Sequence, residues 1–159
     1  MNILAKIWRK LRLPKSIQLF IMRLLQDQFL IGVTGIILND KNEILFFKHS
    51  YRQTKWALPG GYIKAKEHPK EALEREIEEE SGFVVSVDEE LTIRTDRESA
   101  RVDICFVGKF IGGEFRKSSE VTEAKFFAFD ELPLIPKRLL FLIDKTISHK
   151  KLQQTEISQ

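Results

Sequence analysis

Three glutamates in the middle of the chain have the spacing of a metal site. Glu76, Glu79 and Glu80 stand at positions i, i+3 and i+4, which on a helix places all three carboxylates on one face. Like charges so close together repel each other, so an ordinary surface helix gains nothing from this arrangement. A divalent cation would remove the repulsion, and oxygen ligands of this kind suit Mg²⁺ or Mn²⁺.

The segment that carries the glutamates has strong helix signals. Pro69 suits the first position of a helix, where its missing N–H costs nothing, and Gly82 stands where a left-handed residue usually ends one. Ahead of it, residues 58–61 read Leu-Pro-Gly-Gly, which predicts a sharp turn with two glycines free to take positive φ. The competing interpretation is a solvated helix face, on which Lys66, Lys70 and Arg75 pair with the carboxylates.

The wider pattern resembles the signature of the Nudix (MutT-like) hydrolase family. That signature reads Gly, five residues, Glu, seven residues, Arg-Glu, an aliphatic residue, any residue, Glu-Glu, any residue, Gly and an apolar residue. The fixed positions are filled by Gly61, Glu67, Arg75, Glu76, Ile77, Glu79, Glu80, Gly82 and Phe83. The resemblance implies an α+β fold, namely an α/β/α sandwich with a mixed β-sheet, over roughly residues 30–149.

The resemblance also implies metal ligands and a reaction. Glu76 and Glu80 would be the main ligands of Mg²⁺ or Mn²⁺, Glu79 a further ligand or the holder of the attacking water, and Gly60 or Gly61 a carbonyl donor. The reaction implied is hydrolysis of a diphosphate linkage, usually in a nucleoside diphosphate joined to another group.

Five residues are candidates to support the chemistry. Glu67 would orient the ligands, and Arg75 would pair with a carboxylate of the signature. A general base must take the proton of the attacking water, and Glu79 is one candidate. In many family members the base comes from a later loop, where Glu120 matches best and Glu123 second.

Several side chains outside the signature are candidates for substrate binding. Arg52 and Lys55 precede the signature and Arg97 follows it, while Trp56 could either stack a base or pack in the core. The family's subgroup marks, a proline or a tyrosine about fifteen residues downstream, are missing from residues 94–99. These missing marks leave the substrate undecided between a nucleoside diphosphate derivative and a nucleoside triphosphate. Removal of pyrophosphate from RNA 5′ ends and a non-catalytic nucleotide-binding module stay open as alternatives.

Composition predicts a single globular domain of the cytoplasm. The chain has 159 residues, 43% of them apolar, and one cysteine, Cys105, which excludes an internal disulfide and fits a buried thiol in a reducing compartment. No run of 18 apolar residues and no secretory signal is visible. The whole chain carries +3 and residues 1–30 carry +5, so residues 31–159 carry −2. We therefore expect no DNA partner.

The N-terminus is expected to form a basic amphipathic extension over residues 1–28. Residues 3–12 have a helical pattern, and Ser16 is predicted to cap a second helix. The extension could pack on the domain or form a homodimer contact, lie peripherally on an anionic membrane, or bind a partner protein. The Nudix hydrolase domain is predicted over residues 29–149 and a polar tail over residues 150–159.

The remaining elements follow from apolar patterning. Gly112 and Gly113 are predicted to turn the chain, and a C-terminal helix to run from residue 136 to 149. Strands are predicted at residues 29–38, 43–48, 83–87, 91–95, 102–110 and 123–129.

Overall fold

The computed structural model describes residues 13–50, 56–137 and 139–147. The predicted helix at residues 3–12 and the polar tail lie outside these residues. The elements, in chain order, are α1 (Lys15–Leu25), β1 (Leu30–Leu38), β2 (Ile44–His49), β3 (Trp56–Ala57), β4 (Gly60–Tyr62), α2 (Pro69–Ser81), β5 (Phe83–Asp96), β6 (Arg101–Gly113), β7 (Val121–Phe127) and the C-terminal helix α3 at residues 139–147.

Seven strands form one mixed sheet in which β1 and β2 each pair with three other strands. The strand order is β3-β2-β1-β6-β5, with β4 paired to β1 and β7 paired to β2. Strands β1 and β6 run parallel, from the pair Leu30 and Arg101 to the pair Leu38 and Lys109. Strands β2 and β4 both run antiparallel to β1.

The two faces of the sheet are covered by different helices. Because side chains alternate along a strand, Val33 and Ile37 lie in one apolar cluster with Leu73 of α2. Ile36 lies in a second cluster with Leu142 of α3. The resulting α/β/α sandwich confirms the predicted fold class. Cys105 is buried in the second cluster, as predicted.

Helix α2 has well-defined ends. It starts at Pro69 and stops before Gly82, whose φ of 74° is left-handed, so both predicted boundary signals are confirmed. The N-cap was not predicted. The His68 side chain accepts a hydrogen bond from the Lys70 N–H, and the Glu71 carboxylate accepts one from the His68 N–H, which satisfies two N–H groups that the helix leaves unpaired.

Helix α1 begins earlier than predicted, at Lys15, with Pro14 in the cap position. The predicted cap by Ser16 is wrong, because the Pro14 carbonyl already accepts the first helical hydrogen bonds and no side chain caps this end. No residue of α1 is buried, and Phe20 and Leu24 are 62% and 70% exposed. None of the helices in the described residues has the length and apolarity needed to cross a bilayer.

The predicted glycine turn before α2 is wrong in its conformation. Gly60 and Gly61 belong to strand β4, and the glycines with positive φ among the described residues are Gly82 and Gly113. The reason for glycine is close approach. A Cβ on Gly60 would lie 2.1 Å from the Val33 carbonyl oxygen of the neighbouring strand.

Strands β5 and β6 also differ from prediction, and β7 spans Val121–Phe127 rather than the predicted residues 123–129. Residues 83–96 form one strand rather than two, because register shifts between Val87 and Glu89 and between Glu90 and Thr92 carry the pairing through an exposed acidic stretch. Gly113 extends β6 and pairs with Phe83 instead of turning the chain.

Candidate active site

Helix α2, strand β4 and the loop before β7 enclose a cleft of about 590 Å³. We call it the glutamate cleft. Three of its lining carboxylates come from α2 and one, Glu120, from the loop, so the fold brings together carboxylates about forty positions apart in the chain. The residues that line it include Gly61, Tyr62, Glu76, Glu79, Glu80 and Glu120.

Arg75 binds three of the predicted carboxylates at once. Its Nε donates to Glu67 Oε1 at 2.6 Å, and its Nη1 donates to Glu76 Oε1 at 2.7 Å and to Glu79 Oε2 at 3.0 Å. Its Nη2 donates to Glu67 Oε2 at 3.0 Å and to the Tyr62 carbonyl at 3.1 Å. The Arg75 side chain is only 19% exposed. Its guanidinium is therefore held in place as a positive charge between the carboxylates.

These ion pairs shift the pKa values of the partners. Hydrogen bonds from the Arg75 side chain and the Lys64 N–H lower the pKa of Glu67 from 4.5 to about 2. The bond to Glu67 in turn raises the pKa of Arg75 above its ordinary value. For Glu79, partial burial alone would raise the pKa, but hydrogen bonds from Arg75 and Lys64 outweigh it and lower the pKa.

A titration of the metal-free protein should show the Glu67–Arg75 pair directly. Because folding lowers the Glu67 pKa, the pair stabilises the fold above about pH 4.5, and this contribution is lost as the pH falls toward about 2. We expect the ¹³C signal of the Glu67 carboxyl to titrate near pH 2 and, in Arg75→Ala, to move back toward 4.5. Lys109→Gln, which removes a distant charge, is the control. An unchanged Glu67 midpoint in Arg75→Ala would contradict this account.

The residues of the cleft fit a divalent cation. A Cβ on Gly61 would lie 2.3 Å from the Glu76 carboxyl carbon, so the missing side chain is what lets this carboxylate rest against the β4 backbone. The Oε2 atom of Glu80 is buried. Hard oxygen donors of this kind suit Mg²⁺-like ions.

Glu67, Glu76 and Glu79 are gathered around the Arg75 guanidinium rather than around a common point in the cleft. Within the described ranges, no three acidic, histidine or cysteine side chains converge as closely as the ligands of a metal ion do. Glu79 is 53% exposed, so its carboxylate can turn into the cleft without disturbing core packing.

The structure separates the two candidates for the loop base. Glu120 lines the glutamate cleft, and its backbone N–H donates a hydrogen bond to the Ser118 hydroxyl oxygen at 3.3 Å. Glu123 lies on β7, where it pairs with Lys48, and it does not line the cleft.

A second, larger cleft of about 960 Å³ adjoins the first. We call it the large cleft, and Gly60, Tyr62 and Arg101 line both. Of the predicted substrate-binding residues, Trp56 and Arg97 line the large cleft, whereas Arg52 and Lys55 lie outside the described residues.

Packing limits what Trp56 can offer a ligand. Its ring meets Phe127 edge-on with the ring centres 5.1 Å apart, and the Lys48 ammonium lies 5.8 Å from the indole centre. The residue therefore contributes to the core and to the wall of the large cleft together.

Sequence reasoning missed Tyr62, Ser118 and Ser119 as lining residues of the glutamate cleft. A signal for Tyr62 was available, because it directly follows the glycine of the signature. The two serines precede β7 in a loop without regular structure, and no pattern in the chain marks them.

The sandwich and the glutamate cleft define an α/β/α protein built around an acidic helix. The family model described as NUDIX domain matches residues 28–148. The chain belongs to the Nudix family, which confirms the resemblance. Divalent cations are the general cofactors of this family.

Known relatives agree with this assignment. An ADP-ribose pyrophosphatase from Methanocaldococcus jannaschii is 36% identical over 109 residues, which cover 65% of this chain and 64% of the relative. A MutT-like protein from Streptomyces ambofaciens is 31% identical over 102 residues, covering 64% of this chain and 66% of the relative. The chain thus spans slightly less than two thirds of either relative.

A solved structure shows the same fold. The crystal structure of a UDP-X diphosphatase superposes with a TM-score of 0.67 at 24% identity, covering 86% of this chain and 73% of that chain. At this identity the likeness concerns the fold alone.

Proposed function

We propose that this chain is a divalent-metal-dependent hydrolase that cleaves a diphosphate linkage in a nucleoside diphosphate derivative or a nucleoside triphosphate. Mg²⁺ is the proposed metal, and Mn²⁺ the alternative. The observation that carries the proposal is the glutamate cleft, which joins Glu76, Glu79 and Glu80 of α2 to Glu120 of a distant loop. The similarity to an ADP-ribose pyrophosphatase supports a nucleotide-type substrate.

The proposed metal ligands are Glu76 and Glu80, assisted by Glu79 and by a carbonyl of Gly60 or Gly61. A divalent cation, when bound, neutralises diphosphate charge and acidifies a water molecule. The two carboxylates orient this centre because α2 is capped at both ends and packed on the sheet.

Glu120 is the proposed general base, since it lies on a separate element across from the ligand helix. Both oxygens of Glu79 already accept hydrogen bonds, from Arg75 at 3.0 Å and from Lys64 at 3.3 Å, and these bonds make Glu79 a poor acceptor for a proton. Glu67 and Arg75 act as positioning residues, because their ion pair fixes Glu76 from behind.

A substrate panel tests the proposed function. With Mg²⁺ we expect the chain to hydrolyse at least one compound among ADP-ribose, a nucleoside diphosphate sugar, nucleoside triphosphates and 5′-triphosphorylated RNA. Excess EDTA should abolish the reaction, and added Mg²⁺ should restore it. Product analysis by chromatography would show which linkage breaks. A chain that is inert on the whole panel with Mg²⁺ and with Mn²⁺ would support the non-catalytic binding module instead.

We also propose that residues 1–28 contact anionic lipid and place the protein peripherally on a cytoplasmic membrane surface. Residues 1–30 carry +5, and the apolar face of α1, including Phe20, Leu24 and Leu25, is exposed to solvent. A basic segment with an apolar face matches a negatively charged bilayer surface.

Vesicle sedimentation tests this contact. At low salt we expect at least about fivefold more protein to sediment with vesicles containing phosphatidylserine than with phosphatidylcholine alone. Leu24→Glu and removal of residues 1–28 should both abolish the difference. Equal sedimentation of the truncated and full chains would refute the contact, and a concentration-dependent dimer in light scattering would favour self-association.

A further inference from the structure

Arg101 lies where the glutamate cleft opens into the large cleft. It lines both clefts, and its guanidinium lies 4.9 Å from the centre of the Tyr62 ring. Its Nε and Nη2 donate to Asp103 Oδ1 at 3.1 Å and 2.6 Å. The side chain is thus fixed on two sides, by a carboxylate and by an aromatic face.

Strand register builds this arrangement. Gly32 of β1 stands opposite Tyr62 of β4 and also opposite Asp103 of β6, while Asp103 stands opposite Arg94 of β5. Directly opposed residues project on the same face of a sheet. The four residues therefore form one row across four strands, and Arg101, two positions from Asp103, projects on the same face.

Gly32 provides the space that this row needs. A Cβ on Gly32 would lie 2.5 Å from Asp103 Oδ1 and 2.7 Å from Arg101 Nη2. The ion pair therefore lies flat on the β1 backbone, in volume that any other residue would fill. Arg94 Nη2 approaches Asp103 Oδ2 at 3.3 Å, so Asp103 is held from its second oxygen as well.

The held guanidinium keeps donors for a ligand. It has five N–H groups, and the contacts with Asp103 use two of them. Nη1 faces the Tyr62 hydroxyl at 3.4 Å, a distance at which a hydrogen bond is weak. Among the described residues that line the glutamate cleft, Arg101 has the basic side chain, while Glu76, Glu79, Glu80 and Glu120 are acidic.

We propose that Arg101 binds the diphosphate of the substrate at the junction of the two clefts, and that Asp103 is its positioning residue. This inference rests on the proposed function, since it assigns a contact within the same site. The ionisable residues of the large cleft balance at three basic and three acidic. The large cleft therefore suits the uncharged sugar or nucleoside joined to the diphosphate. The negatively charged diphosphate itself would lie next to Arg101.

Steady-state kinetics on the best substrate of the panel test the role of Arg101. Arg101→Gln should raise KM and the inhibition constant of ADP by about ten- to hundredfold, because a charged hydrogen bond to phosphate is lost. The value of kcat should change by less than about threefold, since this contact is made equally in the ground and transition states. Arg101→Lys keeps the charge and should recover part of the loss.

Lys109→Gln is the matched control. It removes one positive charge from the same strand, at a site where Lys109 is 72% exposed, and it should leave KM unchanged. Thermal melting of every variant shows whether the fold persists. If Arg101→Gln folds and binds ADP as the wild type does, the inference is wrong.

Asp103 is tested by a double-variant cycle. Asp103→Asn alone should raise KM, but adding it to Arg101→Gln should cause no further rise, because a positioning residue acts only through its partner. Additive effects would overturn the positioning role. If the wild type neither cleaves nor binds any compound of the panel, the proposed function fails as well. If the wild type is active and the Arg101 variants have the same KM and the same ADP affinity as the wild type, the proposed function stands and only this inference fails.

Discussion

Glu80→Gln is expected to lower kcat for the proposed hydrolysis by on the order of 10³-fold without unfolding the protein. The substitution replaces an anionic oxygen by a neutral amide of the same shape, so packing is kept while the charge that would hold a divalent cation is lost. The Mg²⁺ concentration needed for half-maximal rate should rise as well. Phosphate release measured across a Mg²⁺ titration would show both effects.

Glu78→Gln is the matched control for this experiment. Glu78 lies on the same helix, is exposed, and does not line the glutamate cleft. Losing its charge should leave kcat within about twofold of the wild type. If Glu78→Gln and Glu80→Gln lose activity equally, the loss comes from the general charge of α2 and the ligand assignment is wrong.

Two neighbouring glycines are expected to separate activity from stability. In Gly61→Ala the three atoms nearest to the new methyl group all belong to the Glu76 side chain, the closest of them at 2.3 Å. The carboxylate must move aside, and a displacement of about 1 Å at a reacting centre can reduce the rate by about 10²-fold. The melting temperature should change by less than about 2 °C, because no backbone has to shift.

Gly60→Ala should lower the melting temperature more than it lowers kcat. Its methyl group would lie 2.1 Å from the Val33 carbonyl oxygen, which belongs to the central strand and cannot yield. Overpacking of this kind costs about 2 to 3 kcal/mol, or roughly 5–10 °C in melting temperature for a chain of this size. Calorimetry and kcat measured side by side would test the pair. Equal destabilisation by both substitutions would contradict the structural account.

Local signals were sufficient to predict helix α2 from the sequence. Pro69 and Gly82 act through their own backbone conformations, and the glutamate spacing between them needs only helical geometry. The apolar patterns of β1 and β2 are also local signals, and the predicted ends of these strands are within one residue of the observed ones. Ser16 shows the limit of such signals. It is a good capping residue, but Pro14 already occupies the cap position, so Ser16 lies inside the helix.

Long-range pairing decided the features that sequence patterns missed. The Gly60–Gly61 dipeptide is typical of a turn, yet it forms a strand because β1 approaches it too closely for any side chain. The acidic residues at 88–90 interrupt the apolar pattern of β5, and only the register against β6 shows that the strand continues.

The candidate site likewise has one part that the sequence predicts and one part that only the structure shows. Its carboxylates stand within one short segment, so their grouping follows from the sequence, and their roles as ligands stay predictions. The row from Tyr62 through Gly32 to Asp103 joins three strands distant in the chain. No spacing rule connects these residues, so the setting of Arg101 could be recognised only in three dimensions.

The position of Arg75 also bears on how the protein responds to metal supply. With one guanidinium fixed among Glu67, Glu76 and Glu79, the acidic cluster is neutralised in part by the chain itself. We therefore expect the chain to fold without a bound cation, in contrast to small domains that fold only when their metal is bound. A cation that binds only the folded protein would then add stability to a fold that forms without it, so we expect cation supply to change the proposed activity more than the survival of the fold.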